Sequence, residues 1–159
     1  MNRIILVGPT CSGKSYLKNK LIKQGFKPDI SYTTRKSRQD EIDGVDYNFV
    51  SLEEFERLID RPDFFIEYTK YEGDYYGSSY DGFYHNDIFI KEVEGIKNLS
   101  PEDRKDTFII YLNISENRRI ERMVIERKWD IDKITKRLTQ DNIKFKDFDD
   151  FDIEIKKFK

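Results

Sequence analysis

The chain has 159 residues, enough for one domain with a buried core. Its 29 Lys and Arg against 31 Asp and Glu give a net charge of −2, which excludes the basic field typical of nucleic-acid-binding proteins. The single cysteine, Cys11, excludes an internal disulfide and a cysteine-based zinc site. Without a long apolar run or a signal-peptide pattern, we expect a soluble, cytoplasmic protein with no membrane contact.

The first segment has a strand followed by a helix. Residues 4–7 form a continuous apolar run before Gly8 and Pro9, which predicts a buried parallel strand. A helical pattern begins at Lys14, and Gly25 indicates where it stops. These features predict a strand–loop–helix unit.

The next segment is rich in turn residues. Asp43 and Gly44 predict a hairpin turn, with a strand over 47–50 beyond it. Ser51 and Glu54 have the spacing of a capping box and predict the start of a helix.

Aromatic residues dominate the middle of the chain. Short strands are predicted on either side of Gly73 and Asp74, and 88–90 is a weaker apolar run. Between them, residues 80–85 are an aromatic-rich segment.

The last third alternates strands and helices. Residues 108–112 predict an interior strand, and Ser115 is expected to cap a charged helix running to about Arg127. Asp132 is expected to cap a further helix, and 151–155 to form a last strand. This alternation predicts an α/β fold with a mostly parallel sheet.

The loop after the first strand carries the motif G-x-x-x-x-G-K-[ST]. Its glycines let successive backbone N–H groups turn toward a phosphate, Lys14 reaches the β and γ phosphates, and the Ser15 hydroxyl ligates Mg²⁺. A chance glycine-rich turn is the alternative, but the strand before it and the helix after it favour a nucleotide site. The ATP-binding candidates are Gly8, Pro9, Thr10, Cys11, Ser12, Gly13, Lys14, Ser15 and Tyr16.

Two arginines, Arg35 and Arg38, lie three residues apart beside several hydroxyl-bearing residues. Guanidinium groups bind phosphate oxygens in a bidentate manner, although an isolated arginine pair is usually a solvated surface feature. The residues that follow favour the phosphate role.

Four further motifs occur in order: S-x-x-T-R-x-x-R from Ser31, E-x-x-G-x-D-Y-x-F from Glu41, F-I-E ending at Glu67, and G-x-Y-Y-G-S ending at Ser78. With the phosphate loop, this series resembles the guanylate kinase family, closely over residues 4 to about 79 and more loosely beyond. The resemblance implies a P-loop NTPase-type parallel sheet flanked by helices, with an inserted region that binds the nucleoside monophosphate (NMP) and a lid.

The resemblance also implies roles for individual residues. The phosphate of the acceptor would be bound by Arg35, Arg38, Tyr47 and Tyr76, and its guanine by Ser31, Glu67 and Ser78. A carboxylate can accept hydrogen bonds from guanine N1–H and N2–H₂ together, although Glu67 could also be a surface acid. The tyrosines could instead pack in the core; we expect packing for Tyr75 and a local structural role for Glu41.

Beyond residue 79 the assignments depend on a looser alignment. The segment between Ser78 and Ile88 is shorter than is usual in the family, so the resemblance implies an aromatic loop over residues 80–85 in place of a helix. Glu92 is the candidate for contact with guanine or with Mg²⁺-bound water, and His85 is expected to be a loop residue. Lys14, Arg122, Arg127 and Arg137 are the catalytic candidates, because cationic groups neutralise charge on the transferred phosphoryl group. Arg118 and Arg119 are expected to be solvated, paired with neighbouring glutamates.

Taken together, the residues predict one domain over 1–159: a core (1–31, 86–114 and 131–159), an NMP-binding region (32–85) and a lid (115–130). The expected reaction transfers phosphate from ATP, with Mg²⁺, to GMP or dGMP in a monomer or homodimer. Two alternatives stay open: a kinase of another deoxynucleoside monophosphate, and a non-catalytic binding module of the same family.

Overall fold

The computed structural model describes residues 3–157. The chain forms two compact units, one from residues 3–25 and 88–157 and the other from Phe26–Asp87. In chain order the elements are β1 (Arg3–Val7), α1 (Lys14–Ile22), β2 (Tyr32–Thr33), β3 (Asn48–Phe49), α2 (Leu52–Ile59), β4 (Phe65–Tyr71), β5 (Asp74–Ser79), α3 (Tyr80–His85), β6 (Ile88–Ile90), α4 (Val93–Lys97), α5 (Pro101–Lys105), β7 (Thr107–Leu112), α6 (Glu116–Ile125), α7 (Ile131–Phe145) and β8 (Ile153–Ile155).

The first unit contains a parallel sheet in the order β6-β1-β7-β8. Its central strands are almost continuously apolar because both faces are covered, which explains why β1 and β7 could be recognised in the sequence. Fully buried side chains from these strands form the core, with Met123 of α6. The loop after β1, residues 8–13, lies at the carboxyl edge of this parallel sheet, where ligands bind in folds of this type.

Helix α7 begins two residues earlier than the sequence indicates. The expectation that Asp132 caps it is wrong, because the Asp130 carboxylate accepts a hydrogen bond from the Lys133 N–H at 2.8 Å. Asp132 lies inside the first turn, where a carboxylate still interacts favourably with the helix dipole. Ser115 is at the N-cap of α6, as expected, but its side chain makes no capping hydrogen bond.

The second unit contains a sheet in the order β3-β2-β5-β4. One face packs on α2, where the Phe55 ring stacks on Phe65 and Tyr75 with centroids 4.7 and 5.1 Å apart. A Cβ on Gly77 would lie 2.9 Å from the Phe65 ring, so this position has no room for a side chain. The expected packing role of Tyr75 agrees with this arrangement.

The turn predictions had mixed outcomes. Gly73, with φ of 90°, joins the antiparallel strands β4 and β5, so the strands predicted on either side of it are confirmed. The hairpin predicted at Asp43 and Gly44 is wrong, because β2 and β3 are parallel and cannot be joined by a tight hairpin. Gly44 instead lies in a local turn, donating to the Tyr47 carbonyl at 2.8 Å.

The aromatic loop expected over residues 80–85 is also wrong, because these residues form helix α3. The Ser79 hydroxyl caps it by accepting from the Gly82 N–H at 3.0 Å. The cap overcomes the low helix propensity of the aromatic residues. Among residues 3–157, no helix combines the length and apolar character that crossing a membrane requires.

Candidate functional site

The loop between β1 and α1 has the backbone of a phosphate-binding loop. Gly13, with φ of 99°, precedes α1, and Cys11 is left-handed, with φ of 60°. A Cβ on Gly8 would lie 2.7 Å from the Leu112 carbonyl oxygen, so only glycine lets the loop leave β1 this close to β7. Alternation of left- and right-handed residues turns successive N–H groups to one side, which forms an anion-binding concavity.

The Lys14 ammonium group lies across this loop. Its Nζ donates to the carbonyl oxygens of Gly8 and Pro9 at 2.6 and 3.0 Å. Burial lowers the pKa of Lys14, and the negative charges of Glu92 and Asp141 oppose that shift. An ammonium group held in place at low solvation binds a phosphate more strongly than one exposed to water.

Two serines of the phosphate-binding motif, Ser12 in the loop and Ser15 in α1, differ in their environment. The Ser12 side chain is fully buried, and among residues 3–157 its Oγ has no hydrogen-bond partner. The Ser15 side chain is exposed in the first turn of α1, where its hydroxyl can reach a cation held by phosphates. Tyr16 is 49% exposed, with Lys20 5.3 Å from its ring centroid.

The residues present fit a magnesium ion held mainly by nucleotide phosphates. Within residues 3–157, no group of three or more His, Cys, Asp or Glu side chains could hold a metal by itself. Mg²⁺ in phosphoryl-transfer sites needs only one or two protein oxygens besides phosphate and water. The exposed Ser15 hydroxyl meets that requirement.

A buried ion pair stabilises the phosphate loop, and sequence reasoning missed it. Arg119 Nη1 lies 2.9 Å from Asp141 Oδ2, and the same carboxylate oxygen accepts from the Thr10 N–H at 2.9 Å. The expectation that Arg119 is solvated is therefore wrong; Arg118 does pair with exposed Glu121, as expected. The available signal was Asp141 itself, since an acid on the inward stripe of an amphipathic helix requires a partner.

The three candidate catalytic arginines have different surroundings. Arg122 Nη1 donates to the Cys11 carbonyl oxygen at 2.8 Å, which connects α6 to the phosphate loop. The Arg137 guanidinium lies 5.8 Å from the centroid of the Trp129 ring, and Arg127 is exposed beyond the end of α6. Arg122 thus directly contacts the phosphate loop.

In the second unit, the three residues expected at the base come together. Glu67 lies directly opposite Ser78 in the antiparallel pairing of β4 and β5, so both side chains are on one face. Ser31, just before β2, approaches Ser78 with the hydroxyl oxygens 3.3 Å apart. This face is opposite the one that packs on α2. We call Ser31, Ser78 and Glu67 the polar row.

An unexpected fourth residue belongs to this group. Asp29 Oδ2 accepts hydrogen bonds from the Ser31 hydroxyl at 2.9 Å and the Ser78 hydroxyl at 3.1 Å. No sequence pattern distinguishes Asp29 from other loop acids, since the contact depends on the crossing of distant segments.

The residues expected at the phosphate lie beside the polar row. The Arg35 guanidinium makes a bidentate ion pair with Glu41, at 2.8 and 2.9 Å, and lies 5.4 Å from the Tyr47 ring centroid. The Tyr47 and Tyr76 rings are 6.2 Å apart. Burial raises the pKa of both phenols, so each keeps its proton and can donate a hydrogen bond to an anion.

Glu41 has the local structural role expected of it. Burial opposes its ionisation, but hydrogen bonds from Arg35 and from the Arg38 N–H outweigh that effect and lower the pKa of Glu41. The Arg38 side chain itself is exposed.

Glu92 is not part of the second unit. It is at the N-cap of α4 in the first unit, and its carboxylate is paired with Lys144 of α7. This ion pair connects the N-terminus of α4 to α7.

The comparisons with known proteins agree with this geometry. A family model described as guanylate kinase matches residues 1–157. The crystal structure of guanylate kinase from Anaplasma phagocytophilum has the same fold, with a TM-score of 0.74 at 23% identity, over 99% of this chain and 77% of that chain. The predicted α/β fold is confirmed, and the chain belongs to the guanylate kinase family of nucleoside monophosphate kinases.

Proposed function

We propose that the protein transfers the γ-phosphoryl group of ATP to GMP or dGMP. The observation that carries this proposal is one face of the second unit, where the polar row lies beside Arg35, Tyr47 and Tyr76. Such a face offers acceptors to a base and donors to a phosphate. We assign NMP binding to residues 32–85 and the flanking residues of that unit, and the lid to 115–130.

In this proposal, the first unit binds ATP. Backbone N–H groups of residues 8–15 surround the phosphates, and Lys14 exchanges its carbonyl partners for phosphate oxygens. Mg²⁺, when bound, would be ligated by Ser15 and would neutralise phosphate charge. The candidates for stabilising charge on the transferred group are Arg122, Arg127 and Arg137. Arg122 is the first choice among them, because it contacts the phosphate loop.

The second unit binds the acceptor. Arg35 and Arg38 would contact the monophosphate, with Tyr47 and Tyr76 donating from their hydroxyls. Glu67 would accept from guanine N1–H and N2–H₂, and Ser31 and Ser78 would complete the base site. An acceptor phosphate is already anionic, so the reaction requires positioning and charge neutralisation more than a general base. Glu92 would act on Mg²⁺-bound water or the base only if it leaves Lys144.

The test is ADP release measured with ATP, Mg²⁺ and GMP, dGMP, AMP, dAMP, CMP, UMP or dTMP as acceptor. We expect turnover with GMP and dGMP alone, and at least a hundredfold loss for Glu67→Gln, because buried polar groups left unpaired strongly penalise binding. Glu72→Gln, at an exposed turn, is the matched control. Turnover with another base would instead identify a kinase of a different nucleotide. ATP binding without turnover would identify a binding module.

A further inference from the structure

The Glu92 carboxylate lies at the same edge of the parallel sheet as the phosphate loop. Strand β6 is the parallel neighbour of β1, and the Lys91 N–H donates to the Leu6 carbonyl oxygen at 3.2 Å, just where each strand ends. Glu92 follows at once as the N-cap of α4, but its side chain makes no capping hydrogen bond. The carboxylate is therefore not held by the helix that it precedes.

Helix α7 supplies the cation that pairs with this carboxylate. Asp141 of α7 accepts from the Thr10 N–H at 2.9 Å, which fixes the helix against the phosphate loop. Lys144 lies three residues further on, on the same side of the helix, and its Nζ is 2.5 Å from Glu92 Oε2. The side chains of Lys144 and Glu92 are 23% and 41% exposed, so either can be replaced without leaving a fully buried charge.

This ion pair acts on the phosphate site through its charges. Burial is the main cause that lowers the pKa of Lys14; the negative charge of Glu92 opposes this shift, and the positive charge of Lys144 adds to it. Both partners are therefore within electrostatic range of the ammonium group expected to bind phosphate. A carboxylate without its cation at this place would repel the phosphates of a nucleotide and attract a divalent cation.

We propose that Lys144 is a positioning residue of the ATP site, which neutralises Glu92 and so prevents this carboxylate from repelling phosphates and from attracting Mg²⁺. Lys144 acts through Glu92 and does not contact the nucleotide. This inference rests on the ATP site of the proposed function, but not on the identity of the acceptor. It predicts that the ion pair sets the balance between binding of Mg²⁺-free ATP and binding of ATP with Mg²⁺.

The experiment measures ATP binding by calorimetry, first in EDTA and then with Mg²⁺. Lys144→Met should weaken binding of Mg²⁺-free ATP by about fivefold or more, because Glu92 then acts on the phosphates without this cation. Binding with Mg²⁺ should weaken by only about twofold or less, since the metal offsets the carboxylate. The double variant with Glu92→Gln removes both charges and should recover most of the affinity lost in EDTA.

Two further variants separate charge from structure. Lys144→Arg keeps the charge and should retain the wild-type balance between the two forms of ATP. Lys146→Met removes the same charge at the exposed end of the same helix, and should change neither affinity by more than about twofold. Thermal unfolding verifies that each variant is folded.

The outcomes decide both the inference and its basis. A double variant as weak as Lys144→Met would mean that Lys144 contacts the phosphates directly, and equal losses with and without Mg²⁺ would indicate a merely structural role; either result overturns the inference. If Lys144→Met does not fold, Glu92→Gln decides, because it should strengthen binding of Mg²⁺-free ATP by about twofold or more.

The wild type distinguishes failure of this inference from failure of the proposed function. If it binds no ATP in either condition, the proposed function fails and the inference fails with it. If it binds ATP, and Lys144→Met binds both forms equally well, the inference alone is wrong.

Discussion

Arg119 of α6 and Asp141 of α7 form an ion pair whose side chains are each only 4% exposed. The same carboxylate accepts from the Thr10 N–H, and Arg119 also reaches the Thr10 carbonyl oxygen at 3.4 Å. Arg119 and Asp141 are thus hydrogen-bonded both to each other and to the backbone of the phosphate loop. This relationship connects two helices to the loop through one desolvated contact.

We expect Arg119→Leu to destabilise the protein by about 3–5 kcal/mol, because it leaves the Asp141 carboxylate buried without its cation. Arg119→Leu combined with Asp141→Leu should recover a large part of that loss, since a buried pair replaced by apolar residues is often close to neutral. Urea unfolding of the variants measures both effects. Arg118→Leu removes an exposed ion pair of the same helix and should cost less than about 1 kcal/mol. Equal losses for the Arg118 and Arg119 variants would contradict the argument.

We expect Lys14→Met to reduce kcat by at least about a hundredfold, in the range observed when one preorganised donor to a transition state is lost. Stability should change little, because the variant removes a buried charge together with its two carbonyl contacts. Steady-state kinetics and thermal unfolding give the two quantities. Lys23→Met, at the exposed end of α1, serves as the control. A Lys14 variant with near-normal kcat would exclude the proposed role of the loop.

The sequence could predict the features that depend on local patterns. The apolar run at β1, the motif around Lys14 and the capping box at Ser51 each involve residues close together in the chain, and the Ser51 hydroxyl does accept from the Glu54 N–H. The polar row could be anticipated only through family resemblance, because its residues are joined by strand pairing.

The remaining features depend on tertiary contacts. Arg119 looked like a solvated helix residue, since its partner lies 22 residues away on another helix. Asp29 looked like any loop acid for the same reason. Residues 80–85 were expected as a loop because the segment between Ser78 and Ile88 is shorter than is usual in the family, but the segment is long enough for a short helix that Ser79 caps. For Arg119 and Asp29, a long-range contact outweighed the local pattern.

We expect the stability of the protein to decrease as pH falls below about 4.5, partly through Glu41. Hydrogen bonds from Arg35 and the Arg38 N–H hold the pKa of Glu41 below its ordinary value of 4.5. The unfolded chain therefore takes up this proton at higher pH than the folded chain. The contribution is complete above the unfolded pKa and is lost as pH falls through the lower folded pKa. Thermal unfolding between pH 3 and 7 should show a smaller acid effect in Glu41→Gln than in the wild type.

Glu53→Gln is the control for this titration, because the Glu53 side chain is 84% exposed and its ion pair with Arg57 is solvated. Its acid effect should match that of the wild type. An unchanged acid effect in Glu41→Gln would show that the Arg35–Glu41 pair does not contribute.

Gly77→Ala should destabilise the second unit by about 1–3 kcal/mol, the usual cost of overpacking a core. Its Cβ would lie 2.9 Å from Phe65 and 3.1 Å from Phe55, two rings already stacked on each other. Gly73→Ala has open space around it, so any loss there comes from its φ of 90° alone. Thermal unfolding of the double variant Gly77→Ala with Phe65→Leu should show partial recovery; without it, the steric explanation is wrong.

Trp129 should report ATP binding through its fluorescence, because it is the single tryptophan and lies in the proposed lid. Lys133 Nζ is 4.3 Å from its ring centroid, and the Arg137 guanidinium is 5.8 Å away. If Arg137 moves to a phosphate, one cation leaves the ring and the emission should change. A titration with ATP and Mg²⁺ measures this, and Arg137→Met should abolish the change while retaining ATP binding by calorimetry. A signal that survives in Arg137→Met would mean that this arginine does not respond to the nucleotide.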